Sequence, residues 1–232
     1  MTPAQLVKKG SDFLKKNKIK THQIDSELIL SGLIGKSRED LLISLDFELN
    51  KSLITSFNSS ISRRGVKREP IAYILNKKEF WSLNFKVHPG ILIPRPETEL
   101  MVEKIVKYYK NDNPYILDIG TGSGCIIISL LKELKNSKGV AIDISKVALK
   151  IAKKNSIINN TANRIKFINS SVLKINNFKF DLIVANPPYI ARHQLKNLSD
   201  DIKFFEPKIA LDGGNDGLDV IRKVIYKSRK IL

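Results

Sequence analysis

Two consecutive prolines, Pro187 and Pro188, stand one residue after the apolar run Phe180-Asp181-Leu182-Ile183-Val184-Ala185. A run this rich in branched side chains reads as a buried strand. Neither proline can donate to a ladder and both fix φ, so the strand must stop at Asn186. A stiff turn at the carboxyl end of a central strand is where open α/β sheets bind ligands. Asn186 offers a side-chain carbonyl there, and the backbone carbonyls around the prolines are left without helix or sheet partners. Tyr189 adds an aromatic face. Two converging acceptors suit a planar NH2 group, which points to chemistry on an amide or an exocyclic amine. The competing reading is an ordinary loop that contains two prolines, and the sequence upstream decides against it.

That upstream sequence alternates strands with helices. Tyr115-Ile116-Leu117-Asp118-Ile119 is an apolar strand that runs into Gly120-Thr121-Gly122-Ser123-Gly124 and then a helix from Cys125 to Leu134. Glycines permit positive φ and a close backbone approach to a ligand. A dinucleotide fingerprint would need its third glycine at position 125, which is Cys125. An acid followed by Gly-x-Gly-x-Gly is instead the form used for S-adenosylmethionine (SAM). The next strand, 139–143, ends in Asp143, placed to accept both ribose hydroxyls of a nucleoside. Helix 145–159 and strands at about 164–170 and 180–185 complete the alternation of a doubly wound sheet.

Composition excludes several classes. The chain has 232 residues, enough for one sizeable core and a smaller domain. No apolar run approaches the ~20 residues of a membrane span, and Met1 to Gly10 lacks the apolar stretch of a signal peptide. A single cysteine, Cys125, rules out an internal disulfide framework and any multi-cysteine metal site, and is read as packing the helix start. His22, His88 and His193 form no metal spacing and no nucleophile pair. These features fit a cytoplasmic enzyme without a metal. The net charge of +17 is compatible with a functional basic patch or with a coding bias toward lysine, and direct nucleic-acid binding does not follow from it.

Residues 1–75 read as a helical bundle with a binding or stabilising role. Leu6, Phe13 and Leu14, then Leu28, Ile29 and Leu33, then Leu41, Leu42 and Leu45 fall near helical periods. Thr21 and Asp25 are candidate helix starts, and Ser37 with Asp40 resembles a capping box. Residues 79–87 and 91–93 read as a short hairpin joining two domains. Trp81, the only tryptophan, is assigned to core packing, with a lining role for Phe80 and Trp81 between domains as the alternative. Pro94 and Pro96 stiffen the chain around Arg95, and Pro96 opens a helix to about Lys110, with Glu97 and Glu99 in its first turn.

Taken together these motifs resemble the HemK/PrmC family, the release factor glutamine methyltransferases. The resemblance runs in family order through Arg63-Arg64, Glu69 to Tyr73, Glu79-Phe80-Trp81, Ile93 to Glu99, Asp118 to Gly124, Asp143 and Asn186 to Tyr189. It ends with Glu206-Pro207, Ala210-Leu211 and Gly213 to Leu218. It implies an α/β class I SAM-dependent methyltransferase, a Rossmann-like doubly wound sheet with a small N-terminal helical domain and a β-hairpin linker. The implied domains are 1–75 for docking substrate, 76–95 for the linker and 96–232 for methyl transfer. The implied reaction is N5-methylation of the glutamine in the Gly-Gly-Gln motif of class I peptide chain release factors, by a monomer in the cytoplasm. Carried over, Asp118, Gly120, Thr121, Gly122, Ser123 and Gly124 cradle the cofactor, Asp143 takes its ribose and Val172 borders its adenine. Asn186 and Pro187 orient the substrate amide, with Asn186 also against the cofactor. Pro188 and Tyr189 pack beside the substrate.

Two departures qualify the match. Relatives carry Ser-Asp where this chain has Ser170-Ser171-Val172, which is expected to weaken adenine recognition or shift it to backbone contacts. The fold is also expected to continue beyond Lys223 with further strands. A truncated chain, poorly stable or inactive, is therefore expected, with the strand bearing the Asn-Pro-Pro turn left at a sheet edge. The rival readings are an N6-adenine methyltransferase acting on DNA or RNA, which poses the same problem of an NH2 acceptor, and a SAM-binding remnant without turnover.

Overall fold

The structure, a computed structural model, describes residues 1–43, 47–176 and 178–232. The chain divides into two compact units, Met1–Asn76 and Lys77–Leu232.

The first unit is helical among its described residues: α1 (Pro3–Lys16), α2 (His22–Ile34), α3 (Arg38–Ile43), α4 (Lys51–Gly65) and the single turn α5 (Ile71–Ile74). Thr2 opens α1 with a complete capping box, its hydroxyl accepting from the Gln5 N–H while the Gln5 side chain accepts from the Thr2 N–H. Ser37 accepts from the Asp40 N–H at 3.0 Å, so half of the expected box at α3 forms. Leu6, Leu14, Ile29 and Leu41 enter the core with Phe57 and Ile61, whereas Phe13, Leu33 and Leu42 remain exposed. Leu45 lies outside the described residues. Asp25 does not start a helix. It lies inside α2, buried, and takes a hydrogen bond from the Arg64 guanidinium at 2.7 Å. Arg63 meets Glu69 through two guanidinium nitrogens. These pairs explain why α2 buries Asp25 and Glu27 beside Ile29 and Leu30: each buried carboxylate has an arginine partner, Glu27 taking Arg38.

The second unit begins with an antiparallel hairpin, β1 (Lys77–Phe80) and β2 (Leu83–Lys86). Its two-residue turn is Trp81-Ser82, both at φ +53°. Positive φ at both central residues is the backbone that matches strand twist, but tryptophan and serine adopt it only at a cost. The Trp81 N–H donates to Glu99 and its indole N–H to Glu133, each at 2.8 Å, which holds the turn. Phe80 and Phe85 join the core of this unit, so the hairpin is part of its packing. Residues 91–93 are not strand, contrary to the sequence reading. Pro89-Gly90 turns the chain, Pro94 blocks a ladder, and the Ile93 N–H goes to Glu206.

A short 3₁₀ turn, Pro96–Thr98, leads into α6 (Glu99–Tyr108). A four-stranded parallel sheet follows: β3 (Tyr115–Ile119), β4 (Lys138–Asp143), β5 (Ile165–Asn169) and β6 (Leu182–Ala185), in the order β5-β4-β3-β6. The chain lays strands outward from β3 to β5 and then returns to place β6 on the other side of β3. Strand order therefore reverses at β3, the position where open α/β sheets open a crevice. Helices α7 (Cys125–Glu133) and α8 (Lys146–Ile158) connect the first three strands, and α9 (Asp200–Phe205) and α10 (Asp219–Ile231) follow β6.

One side chain closes the far end of α7. Arg164, just before β5, donates to the carbonyls of Leu131, Leu134, Lys135 and Ser137 at 2.6–3.2 Å. Leu131 lies in the last turn of α7 and the other three just beyond it, where the chain has left the helical ladder. Arg164→Ala is expected to lower the unfolding free energy of the Lys77–Leu232 unit by about 1.5–3 kcal/mol. Exposed Lys153→Ala should change it by less than about 0.5 kcal/mol. Urea titration followed by circular dichroism distinguishes the two.

Candidate active site

Parallel register brings three strand ends to one place. Ile119 pairs with Ile142 on one side and with Ala185 on the other. The glycine-rich turn after β3 is therefore flanked by Asp143 at the end of β4 and Asn186 at the end of β6. Between and above them opens a cavity of about 740 Å³. Gly120, Thr121, Gly122, Ser123, Asp143, Val172, Asn186, Pro187 and Pro188 all line it, so most of the sequence-assigned residues converge.

The glycines of the turn divide by role. Gly120 and Gly122 lie at φ +71° and +56°, and an added Cβ would meet nothing nearer than 3.9 Å, so they face open space. Gly124, at φ +83°, is different: a Cβ there would strike Ile128 and Ala152, and the residue does not line the cavity. It serves the close packing of α7 against α8. The Gly120 and Thr121 N–H groups donate to the Ile142 carbonyl. Asp143 accepts from Gly122 at 2.9 Å through one oxygen and from Ser145 at 2.8 Å through the other. A carboxylate has about four acceptor sites, so two remain for a ligand in the cavity. Burial raises the pKa of Asp143, opposed by those two N–H donors.

Asp118 sits below the turn, fully buried, and does not reach the cavity. One oxygen accepts from the Thr121 hydroxyl at 2.7 Å and the other has no hydrogen-bond partner. Burial pushes this carboxyl up to about 7. Cys125 lines the wall, and burial pushes its thiol up to about 12, which removes thiolate chemistry.

The Asn186 Nδ2 donates to the Thr98 hydroxyl at 3.4 Å. This leaves its side-chain oxygen for a donor in the cavity, the arrangement an NH2 acceptor requires. Tyr189 stands outside the cavity lining and is 66% exposed. It is fixed from behind: a Cβ on Gly217 would come within 2.4 Å of the Tyr189 carbonyl, so glycine alone lets the Gly213–Leu218 loop pass. Ile190 bonds Leu211 and Gly213 through its backbone. Among the described residues there is no cluster of histidine, cysteine and acids that could hold a metal ion.

Sequence reasoning missed three supports. Asn155 of α8 is buried, accepts from the Lys86 N–H at 2.7 Å and donates to the carbonyls of Lys86 and Ser123. It ties the hairpin to the glycine turn. Glu206 accepts from Arg95 and from the Ile93 N–H, joining two segments that line the cavity. The sequence marks Arg95 and Glu206 as motif residues but does not pair them. Nothing in the sequence marks Thr98. A threonine two residues beyond a helix-opening proline carries no signal of what it touches.

A backbone-walled glycine turn, an acid with spare acceptors at the end of the next strand and a side-chain amide at the switch point are the features of a class I SAM-dependent methyltransferase. The open floor at Gly120 and Gly122 and the spare acceptors of Asp143 fit that cofactor. Residues 96–204 match the methyltransferase small domain family and residues 5–75 the PrmC N-terminal domain family. The chain is 37% identical to the release factor glutamine methyltransferase of Clostridium acetobutylicum, over 97% of this chain and 80% of that one. It is 36% identical to that of Geobacter sulfurreducens, over 92% and 74%. It also matches the bifunctional methyltransferase of Rickettsia typhi at 36% identity, spanning only 48% of that longer protein. The hMettl16 catalytic domain, at 16% identity and a TM-score of 0.53, covers 80% of this chain and shares the fold; this chain covers 66% of it. The chain belongs to the release factor glutamine methyltransferase family.

The Asp118 carboxyl gives this site a pH signature. Its folded pKa of about 7 lies above the ordinary 3.8, so the folded chain keeps a proton that the unfolded chain releases. Its contribution to stability is complete below about pH 4 and lost as pH rises through 7, at up to about 1.4 kcal/mol per pH unit. Asp118→Asn is expected to remove this slope. Denaturation of both proteins between pH 4 and 8 checks it, and parallel curves would refute the assignment.

Proposed function

We propose that the chain transfers a methyl group from SAM to the side-chain amide nitrogen of a glutamine, the one in the Gly-Gly-Gln motif of class I release factors. The observation that carries this is Asn186, anchored through its NH2 group by Thr98 and lining the same cavity as the glycine turn and Asp143. The names of the relatives supply the substrate class. An amide nitrogen is a poor nucleophile because its lone pair is delocalised into the carbonyl. Asn186 Oδ1 and the Pro187 carbonyl, accepting its two hydrogens, keep electron density on the nitrogen and aim it. SAM, when bound, supplies an electrophilic methyl group on a sulfonium. Asp143 holds the cofactor's ribose, Gly120 to Ser123 its amino-acid part, and Val172 borders the base. Tyr189, exposed at the rim, covers the glutamine and the loop that carries it. Positioning is the main tool, and near-attack alignment can contribute ~7–11 kcal/mol. A neutral cysteine and the scattered histidines fit a reaction that needs little acid–base work.

The helical unit takes part in docking the release factor, and the enzyme acts as a monomer in the cytoplasm. Among the described residues no helix is long and apolar enough to cross a membrane.

The test is transfer of labelled methyl from SAM to a purified release factor, beside a variant whose Gly-Gly-Gln glutamine is alanine and beside duplex DNA and RNA. Label on the wild-type factor alone is expected. Label on nucleic acid adenine instead would replace this reading with the adenine methyltransferase. In the same assay, Asn186→Ala should lower kcat by about 100-fold, the size of effect seen when one preorganised polar contact is removed. Asp143→Ala should raise the Kd for SAM at least about tenfold, as loss of a charged hydrogen-bond acceptor predicts. Isothermal titration calorimetry measures the second.

A further inference from the structure

Three candidates outside the assigned residues stand out: the strained Trp81-Ser82 turn, the lysine-rich outer face of α1, and the polar chain behind Asn186. The first is explained by its two glutamate partners. The second is the solvated side of an amphipathic helix, with basic charge equally present elsewhere in the sequence. The third reaches the site.

We propose that Thr98 is a positioning residue for methyl transfer, and that the Arg95–Glu206 pair is the clasp that holds Thr98 in place. The proposal rests on the function given above and adds two steps to it. Glu206 has a side chain that is 2% exposed, and it takes both the Arg95 guanidinium and the Ile93 N–H. Arg95 returns a second hydrogen bond to the Ile93 carbonyl at 3.1 Å. The stretch Ile93-Pro94-Arg95 is thereby closed on one buried carboxylate, with prolines at 94 and 96 removing other backbone conformations. The Thr98 N–H donates to the Arg95 carbonyl at 3.0 Å, so the 3₁₀ turn inherits this rigidity. Thr98 is itself buried, and its hydroxyl is the partner of the Asn186 NH2 group. An asparagine amide turns about its last torsion with a broad, shallow preference. Without a partner on the NH2 end, Asn186 would sample orientations that aim its own N–H at the substrate's N–H. With Thr98 in place, the oxygen is left facing the cavity. The clasp therefore links a part-buried ion pair to the direction of one acceptor.

The experiment compares full-length wild type, Thr98→Val, Thr98→Ser and Glu206→Gln. Valine keeps the shape and removes the hydroxyl, while serine keeps the hydroxyl. Two readouts are used: kcat for the release factor, and the Asn186 side-chain NH2 resonances in a 15N–1H spectrum, assigned by their loss in Asn186→Asp. Thr98→Val is expected to lower kcat about twofold to tenfold, the worth of one neutral hydrogen bond, and to move the Asn186 resonances. Thr98→Ser should restore both. Glu206→Gln should shift the Asn186 resonances in the same direction as Thr98→Val. Asn186 resonances unchanged in Thr98→Val, or no recovery in Thr98→Ser, would overturn the positioning role. Unchanged resonances in Glu206→Gln would overturn the clasp. If wild type methylates no release factor, the proposed function fails while the resonances still decide on Thr98.

Discussion

The parallel register of β3 with a strand on each side is the constraint on which the rest of this site depends. Because Ile119 pairs with Ile142 and with Ala185, the glycine turn, Asp143 and Asn186 must emerge at one level of the sheet. A slip of one residue in either pairing would turn every side chain of that strand to the opposite face. It would turn Asp143 or the Asn-Pro-Pro turn away from the cavity. The register is held by the apolar faces of β3, where Ile116 and Leu117 are both fully buried on opposite sides. The chemistry is thus set by hydrophobic packing before any functional side chain makes a contact.

Buried polar side chains then convert that coarse placement into a defined floor and rim. Asn155 behaves as a piece of backbone. It supplies an acceptor to the edge of β2 and donors to two carbonyls, one in the hairpin and one in the glycine turn. Glu206 does the same for an N–H and a guanidinium on the opposite rim. Arg164 gathers carbonyls at the far end of α7. Each sits where regular structure ends and backbone groups would otherwise be buried without partners. The hairpin, read from sequence as a linker between domains, carries two core phenylalanines and one partner of Asn155.

The strands and helices of the α/β unit were legible because they carry their own local signals: apolar runs, glycine turns and prolines. Asp143 and Asn186 were legible as residues at strand ends. The division of labour within the glycine turn was not. Nothing in Gly-x-Gly-x-Gly says that Gly124 packs against Ala152 while Gly120 faces the cavity, since that depends on a helix far along the chain. Asp118 looked like a cofactor ligand and lies buried beneath the turn, because the alternation of β3 points it away from the crevice. Asp25, a candidate helix start by residue type, became a buried partner of Arg64, 39 residues away. The contacts that sequence reasoning missed join segments far apart in the chain and use residue types that are common everywhere.

The charge of the site's surroundings gives a reason for an asparagine, rather than an acid, at the end of β6. Two carboxyl groups already lie near this site, Asp143 at the end of β4 and Asp118 buried beneath the glycine turn, and burial raises both, Asp118 to about 7. A third carboxylate at position 186, a partly buried site, would add desolvation and like-charge repulsion, both of which favour the protonated form. A protonated carboxyl presents a donor as well as an acceptor, and the donor would oppose the N–H of an amide substrate. Asparagine supplies a carbonyl of nearly the same shape whose acceptor end does not depend on pH. Its weakness is the freedom to present the wrong end, and a neutral hydroxyl on a rigid turn counters that weakness without adding charge. An uncharged acceptor next to acids whose pKa burial already raises suits both the asparagine at the end of β6 and the polar chain behind it.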